Sequence, residues 1–180
     1  PEMLALGIDS IAIASSSVIK IYVVEDFALT LKATINNQNL KSCDYSCGKY
    51  YFYTSESNGS VHVYDESAIL NGSTEKTVFA TGLERFLSGA TYMDVDVDGN
   101  VNIYSTNNKS VVHIPSNGDL SLIQTVALFN PSLRLESDLD GKVYSLADGN
   151  KIEYIDFNSE TPESKIINFS LHENLKKDYT

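Results

Sequence analysis

Asp94-Val-Asp96-Val-Asp98-Gly99-Asn100-Val-Asn102 is the stretch of this chain whose residue types and spacing point most directly to chemistry. Three carboxylates on alternate residues, a glycine that permits a sharp bend and the amide oxygen of Asn102 are oxygen donors of the kind that Ca2+, a hard cation, collects. Asp94, Asp96, Asp98 and Asn102 are therefore the candidate Ca2+ ligands, and no other cofactor is expected. A plain strand accounts for the same residues. Asp94 and Asp96 would share one face, Met93, Val95 and Val97 the other, and Asp98-Gly99 would make the turn. Glu136-Ser-Asp138-Leu-Asp140-Gly141 is a weaker copy, with Tyr144 where a further oxygen ligand would sit.

Other reactive residues are sparse. Nucleophilic catalysis needs a nucleophile, a base and an orienting group together, and no spacing of Ser, His and Asp suggests an elbow or a triad. There is no glycine-rich phosphate loop and no His-X-X-X-His pair. The chain is read as non-enzymatic. His62 and His113 fall in corresponding segments and are expected at equivalent outward or edge positions, with His172 near the C-terminus. Cys43 and Cys47, four residues apart, read as a buried thiol pair. A disulfide is the alternative, and without further Cys or His they make a poor zinc site.

The elements that must carry these residues recur. Ile11-Ala-Ile-Ala-Ser15, Tyr51-Phe-Tyr-Thr-Ser55, Val101-Asn-Ile-Tyr-Ser105 and Lys142-Val-Tyr-Ser145 share an alternating apolar pattern ending in Ser. A second alternating segment follows each: Ile19-Lys-Ile-Tyr22, Val61-His-Val-Tyr64, Val111-Val-His-Ile114 and Ile152-Glu-Tyr-Ile155. Period two is the mark of half-buried strands. The intervening Ser57-Asn58-Gly59-Ser60, Asn107-Asn108-Lys109 and Asp148-Gly149-Asn150 tolerate the positive φ of tight hairpins.

Each unit has room for a leading strand (Met3 to Ile8, Leu40 to Ser46, Thr91 to Val97, Ser132 to Glu136) and a trailing one (Phe27 to Ile35, Thr77 to Thr81, Leu120 to Val126, Ser164 to Leu171). β-branched and aromatic residues dominate, and Gly, Asn and Asp punctuate them, which disfavours helix. Four-stranded antiparallel units at this period predict an all-β chain of β-propeller blades, at about 1–36, 37–84, 85–130 and 131–172, with a tail at 173–180. A sandwich or solenoid is the competing architecture.

Tyr92 to Ile114, followed by Asn117-Gly118, resembles an NHL-type propeller repeat, in which Asp, Gly-Asn, an apolar strand, Asn and another apolar strand succeed one another. Asp138-Leu-Asp-Gly-Lys-Val-Tyr-Ser145 and Asp148 to Ile155 echo it, whereas the first two units match only in apolar pattern. The Arg that commonly precedes the third strand of such repeats is Lys109 or Lys151 here, and without Trp the chain lacks the ending of WD repeats. Asp94 to Asn102 looks like the hairpin calcium loop of integrin-type propellers. Against an EF-hand, its twelfth position is Ser105 and apolar strands flank it. Four blades can close a small ring, as in hemopexin-like domains, but no hemopexin motif is evident. The resemblance implies a segment of a larger ring of six to eight blades, an expectation to which the start at Pro1 rather than Met adds.

A net charge of −11 disfavours nucleic acid, whose binders concentrate Lys and Arg on one face. No apolar run approaches the ~20 residues of a membrane-spanning helix. Asn58, Asn71, Asn108 and Asn168 begin Asn-X-Ser sequons, which do not decide a compartment. The expected role is a scaffold that presents blade loops to a protein partner, with Ser57, Asn58, Asn100 and Lys142 on the loop face. A glycan- or surface-recognition module of a virion or extracellular protein is one alternative. A metal-dependent propeller lyase or lactonase is another.

Overall fold

The computed structural model describes residues 3–36, 39–147 and 151–168. Among these residues, sixteen strands form four antiparallel sheets of four, each built from strands consecutive in sequence. The first holds β1 (Met3–Leu6), β2 (Ser10–Ala14), β3 (Val18–Glu25) and β4 (Ala28–Asn36). The second holds β5 (Leu40–Ser46), β6 (Lys49–Thr54), β7 (Ser60–Asp65) and β8 (Thr77–Thr81). β9 (Ala90–Val95), β10 (Val101–Ser105), β11 (Ser110–Ile114) and β12 (Gln124–Ala127) make the third. β13 (Ser132–Ser137), β14 (Lys142–Ala147), β15 (Lys151–Asp156) and β16 (Ser164–Asn168) make the fourth. One short helix, α1 (Glu66–Leu70), interrupts the β7–β8 connection, capped by Asp65, whose carboxylate accepts from Ala68 N at 2.9 Å.

The sheets stack face to face, so the middle strands of the second and third sheets are buried on both sides. Tyr50 and Phe52 of β6 join Ile19, Ile21, Ala12 and Ala14 in a core between the first and second sheets. Tyr51 and Tyr53, one residue out of phase, join Val61, Val63, Val101, Ile103, Val112 and Ile114 in a core between the second and third. Tyr104, Val111 and Val126 meet Leu135, Val143 and Ile155 between the third and fourth. Period-two alternation thus divides one strand between two cores, each large apolar side chain contributing ~1.5–3 kcal/mol on full burial. The inner strands follow one another around a common axis, β1 against β5, β5 against β9 and β9 against β13.

Several sequence expectations are corrected. Leu120–Leu122 forms a turn of 3-10 helix, held by the Asp119 carboxylate accepting from Ser121 N, so the trailing strand there starts only at Gln124. The serines of the sequence pattern are not equivalent positions. Ser55, Ser105 and Ser145 fall seven, six and four residues after the turn glycines Gly48, Gly99 and Gly141, which all have positive φ. A small residue such as Ser is tolerated on either face, whereas a glycine turn fixes the register of the strands it joins. His62 and His113 are not equivalent either. His62 pairs with Phe52 and is 4% exposed, whereas His113 pairs with Asn102, on the opposite face. The β10–β11 turn is one residue shorter than its counterpart, and a one-residue shift exchanges faces.

Cys43 and Cys47 are free, the first half-buried and the second exposed in the β5–β6 turn, so neither is the buried pair expected. The hairpin at 148–150, the strand residues beyond 168, His172 and the tail 173–180 lie outside the described residues.

Candidate functional site

The inner strands line an open cleft of about 660 Å³ along the common axis. Met3 to Leu6, Ser42 to Asp44, Tyr92 to Asp94 and Leu133 to Glu136 line it, one set from each sheet. Three carboxylates occupy corresponding places: Asp44 pairs with Tyr51, Asp94 with Asn102 and Glu136 with Tyr144, each partner lying three residues after the turn glycine. The first sheet has Ala5, paired with Ala12, at that place.

Each carboxylate that has a following sheet reaches across to it. Asp44 Oδ2 accepts from Val95 N at 2.6 Å. Asp94 accepts from the hydroxyl and backbone of Ser137 and from the Asn102 amide. Val95 and Ser137 end β9 and β13, so the same donor position is used twice. Glu136, in the fourth sheet, takes the Arg134 guanidinium at 2.6 Å instead. That pair is largely exposed and adds little to stability. Burial, opposed by the N–H groups of Tyr45 and Val95 and reinforced by the charges of Asp94 and Glu136, pushes the Asp44 carboxyl up to about 7. Burial likewise raises the Asp94 carboxyl above its ordinary value and pushes the Cys43 thiol up to about 12.

The candidate Ca2+ ligands are divided among separate tasks. Asp94 faces the fourth sheet. Asp96 caps its own turn, accepting from Asp98 N at 3.0 Å, Asn100 N at 2.9 Å and Asn100 Nδ2 at 2.8 Å. The Asp98 side chain is exposed. Asn102 donates to Ser137 Oγ at 3.2 Å and meets His113 Nδ1 at 2.8 Å, and the His113 ring stacks on Phe157 with centroids 4.4 Å apart. Among the described residues no three His, Cys, Asp or Glu side chains are gathered where they could hold a metal ion.

The loop residues are also separated. Successive turns of an antiparallel sheet lie at opposite ends, so Ser57 and Asn58 in the β6–β7 turn occupy one end of the stack. Asn100 and Lys142, next to the β9–β10 and β13–β14 turns, occupy the other. Asn100 is also tied to Asp96 and accepts from Ser116 N at 2.9 Å, and Lys142 pairs with Asp140 at 3.4 Å.

Two buried carboxylates escaped the sequence reading. Glu66 accepts from Ser10 Oγ at 2.6 Å, Tyr45 Oη at 2.5 Å, Asp9 N at 3.1 Å and Ile8 N at 3.4 Å, tying the β1–β2 turn to the second sheet. Burial would raise its carboxyl, but these hydrogen bonds outweigh burial and hold it below the ordinary value. Glu153 binds Phe129 N, Asn130 N and Ser164 Oγ at 2.7–2.8 Å, fixing the approach to the fourth sheet. The inner-strand series had a signal, a carboxylate four or five residues before each turn glycine. Glu66 and Glu153 had none, because their partners are remote or irregular.

No protein-family model and no curated protein matches the chain. Solved structures do. A chain in a nidogen/laminin complex matches with a TM-score of 0.65 at 9% identity, over 92% of this chain and 62% of that one. Hsv2 of Kluyveromyces lactis matches at 0.63 and 13% identity over 87% of this chain and 49% of its own. A streptogramin B lyase matches at 0.62 and 12% identity over 94% and 55%. The fold is a β-propeller. Its four sheets are blades about the axis of the cleft, and the chain spans about half to three-fifths of the propeller chains it matches. Identities this low carry the fold alone. No described helix is long and apolar enough to cross a membrane.

Proposed function

We propose that this chain is a non-catalytic binding scaffold, whose blades present the end carrying the β6–β7 turn to a protein partner in a larger assembly. The observation that carries this reading is the conformation of that turn. Ser57, Asn58 and Gly59 are all left-handed, at φ of 51°, 60° and 79°. Non-glycine residues avoid that region, and strain of this kind collects where a surface is shaped for use. The turn is braced from below: Thr81 Oγ1 donates to Ser57 O at 3.1 Å, and Leu83 N donates to Gly59 O at 3.0 Å. Beside it runs an open groove of about 590 Å³ lined by Asn58, Thr81, Gly82, Glu84, Arg85 and Leu120. A braced, strained turn next to a shallow groove with charged edges suits a protein surface better than an enclosed small molecule.

Two of the matched structures are of protein complexes, a nidogen/laminin complex and a mitotic checkpoint complex. Within this reading the third and fourth blades are NHL-like, on the pattern of residues 92–118 and 138–155. Affinity capture from an extract of the source organism, followed by reconstitution with the captured protein, tests the proposal. Asn58→Lys and Arg85→Glu are expected to weaken the reconstituted complex at least about tenfold, while Asp98→Asn at the opposite end leaves it unchanged. Equal effects at both ends, or turnover of a small molecule that needs the axial carboxylates, would overturn it.

A further inference from the structure

Between the second and third blades, at the opposite end of the stack from the β6–β7 turn, the sheets part around an open pocket of about 410 Å³. Both blades have a described blade on either side, so neither wall is an end face of the arc. Alternation along the strands builds the floor. Lys49 pairs with Asp65 and Tyr51 with Val63, and these four side chains share the face of the second blade that is turned to the third. Tyr51 and Val63 are buried, and Phe79 meets the Tyr51 ring edge to face with centroids 5.9 Å apart, so the floor is apolar. Lys49 and Asp65, at the strand ends, are exposed on the rim, where Glu75 of the α1–β8 connection and Ser116 of the third blade join them. The third blade approaches without filling the space, because it presents small residues. A Cβ on Gly118 would collide with Phe79 O, and one on Gly99 would stand 3.6 Å from both Ser116 Cβ and Tyr51 Oη.

The rim is charged asymmetrically. Asp65 uses Oδ1 to cap α1, accepting from Ser67 Oγ at 2.6 Å and Ala68 N at 2.9 Å, which leaves Oδ2 free. The Ser67 hydroxyl, then Ala68 N, hold its carboxyl below the ordinary value, so it is an anion at neutral pH. Among the described residues neither Asp65 nor Glu75 forms an ion pair with a basic side chain. Asp98 and Asp119, exposed in the adjoining turns of the third blade, add to the negative potential, against Lys49 and Lys76.

We propose that this pocket receives a lysine or arginine side chain of a protein partner, its carbon stem on Tyr51, Val63 and Phe79 and its cation between Asp65 and Glu75. Long basic side chains lay an apolar stem on such a floor and keep the charged head at a wet rim, whereas an anion would meet two carboxylates for one ammonium. A partner rather than a free amine is the source because an apolar step adjoins the rim. Val97, in the same turn as Gly99, is 45% exposed, and its carbonyl accepts from Cys47 Sγ at 2.9 Å, so a longer segment is needed to cover step and pocket together. The pocket fills or stays empty independently of the β6–β7 turn at the other end.

Amide spectra of the isotope-labelled chain, titrated at low ionic strength with capped Gly-Arg-Gly and Gly-Lys-Gly peptides, test this. Saturable shifts are expected at Lys49, Asp65, Glu75, Phe79 and Ser116. Capped Gly-citrulline-Gly, of the same shape without the charge, should not saturate. Glu75→Gln and Asp65→Ser, the latter keeping a capping oxygen, should each weaken binding about threefold. Asp119→Asn, at the same end but outside the pocket, should leave it unchanged. All three variants alter exposed side chains, and their spectra away from the pocket report that they fold. No saturable shift with either cationic peptide, equal binding of the citrulline peptide, or equal weakening by Asp119→Asn overturns the proposal. So does tighter binding of free leucine, or of the methyl glycosides of glucose, galactose or N-acetylglucosamine, which would make the pocket a small-molecule site.

Discussion

Asp44 is half-buried and Glu66 buried, and their surroundings move the two carboxyls in opposite directions. Asp44 has its carboxyl pushed up to about 7 by burial, then by the like charges of Asp94 and Glu136. An unfolded Asp titrates near ~3.9. The folded state therefore binds this proton more tightly, and the stability linked to it is full below about pH 4 and lost as pH rises through about 7. Thermal unfolding should show a melting temperature that falls between pH 5 and pH 8. Asp44→Asn should remove most of that fall and unfold about 3 °C above wild type at pH 8; a wild-type melting temperature that climbs with pH would contradict the assignment. Glu66 shows the reverse sign, since its carboxyl lies below the ordinary value and its contribution is lost only as the solution becomes more acidic than that. Glu66→Ala strands Ser10 Oγ, Tyr45 Oη and two backbone N–H groups, an expected cost of ~2–4 kcal/mol by chemical denaturation at pH 7. Glu66 has no signal in the sequence, and Asp44 has only its spacing from Gly48. Asp44 meets Val95 and Glu66 meets Ser10 across 51 and 56 residues, and no local pattern encodes such a contact.

At the scale of elements, alternation and turn chemistry made most of the strands legible. β6 reads as an unbroken aromatic run because both its faces are buried, Tyr50 and Phe52 on one side and Tyr51 and Tyr53 on the other. Phe52→Ala should cost ~3–5 kcal/mol of unfolding free energy, since the side chain is fully buried between two blades. The Asp94–Asn102 hairpin is where the sequence left two readings, and the hydrogen bonds of Asp96 suit the plain turn. Asp96→Ala should lose about 2 kcal/mol, because three donors lose their acceptor. If the carboxylate acts as a cap, that loss is the same in excess chelator as in millimolar Ca2+. A loss that appears only with Ca2+ present would restore the metal reading. The serine period misled because serine fits either face of a strand, while the glycines at 48, 99 and 141 mark the register correctly through their positive φ.

The whole molecule follows from stacking these hairpins around an axis. An unbroken apolar run such as Tyr50–Tyr53 needs a sheet with two buried faces, and stacked blades supply a neighbour on each side of the second and third sheets. What the sequence could not carry was the arrangement of polar groups between blades, because their partners are remote in sequence and several of the donors are backbone N–H groups that every residue but proline shares. The central claim is that each sheet is made of four consecutive strands and that no sheet mixes strands from different units. Cross-strand proton contacts in a nuclear Overhauser spectrum of isotope-labelled protein test it most directly. The account predicts close Hα–Hα contacts such as Met93 with Ile103 and Asn102 with His113, with every backbone ladder contained within its own unit. A continuous ladder joining strands of two different units, such as β8 with β11 or β12 with β15, would contradict it.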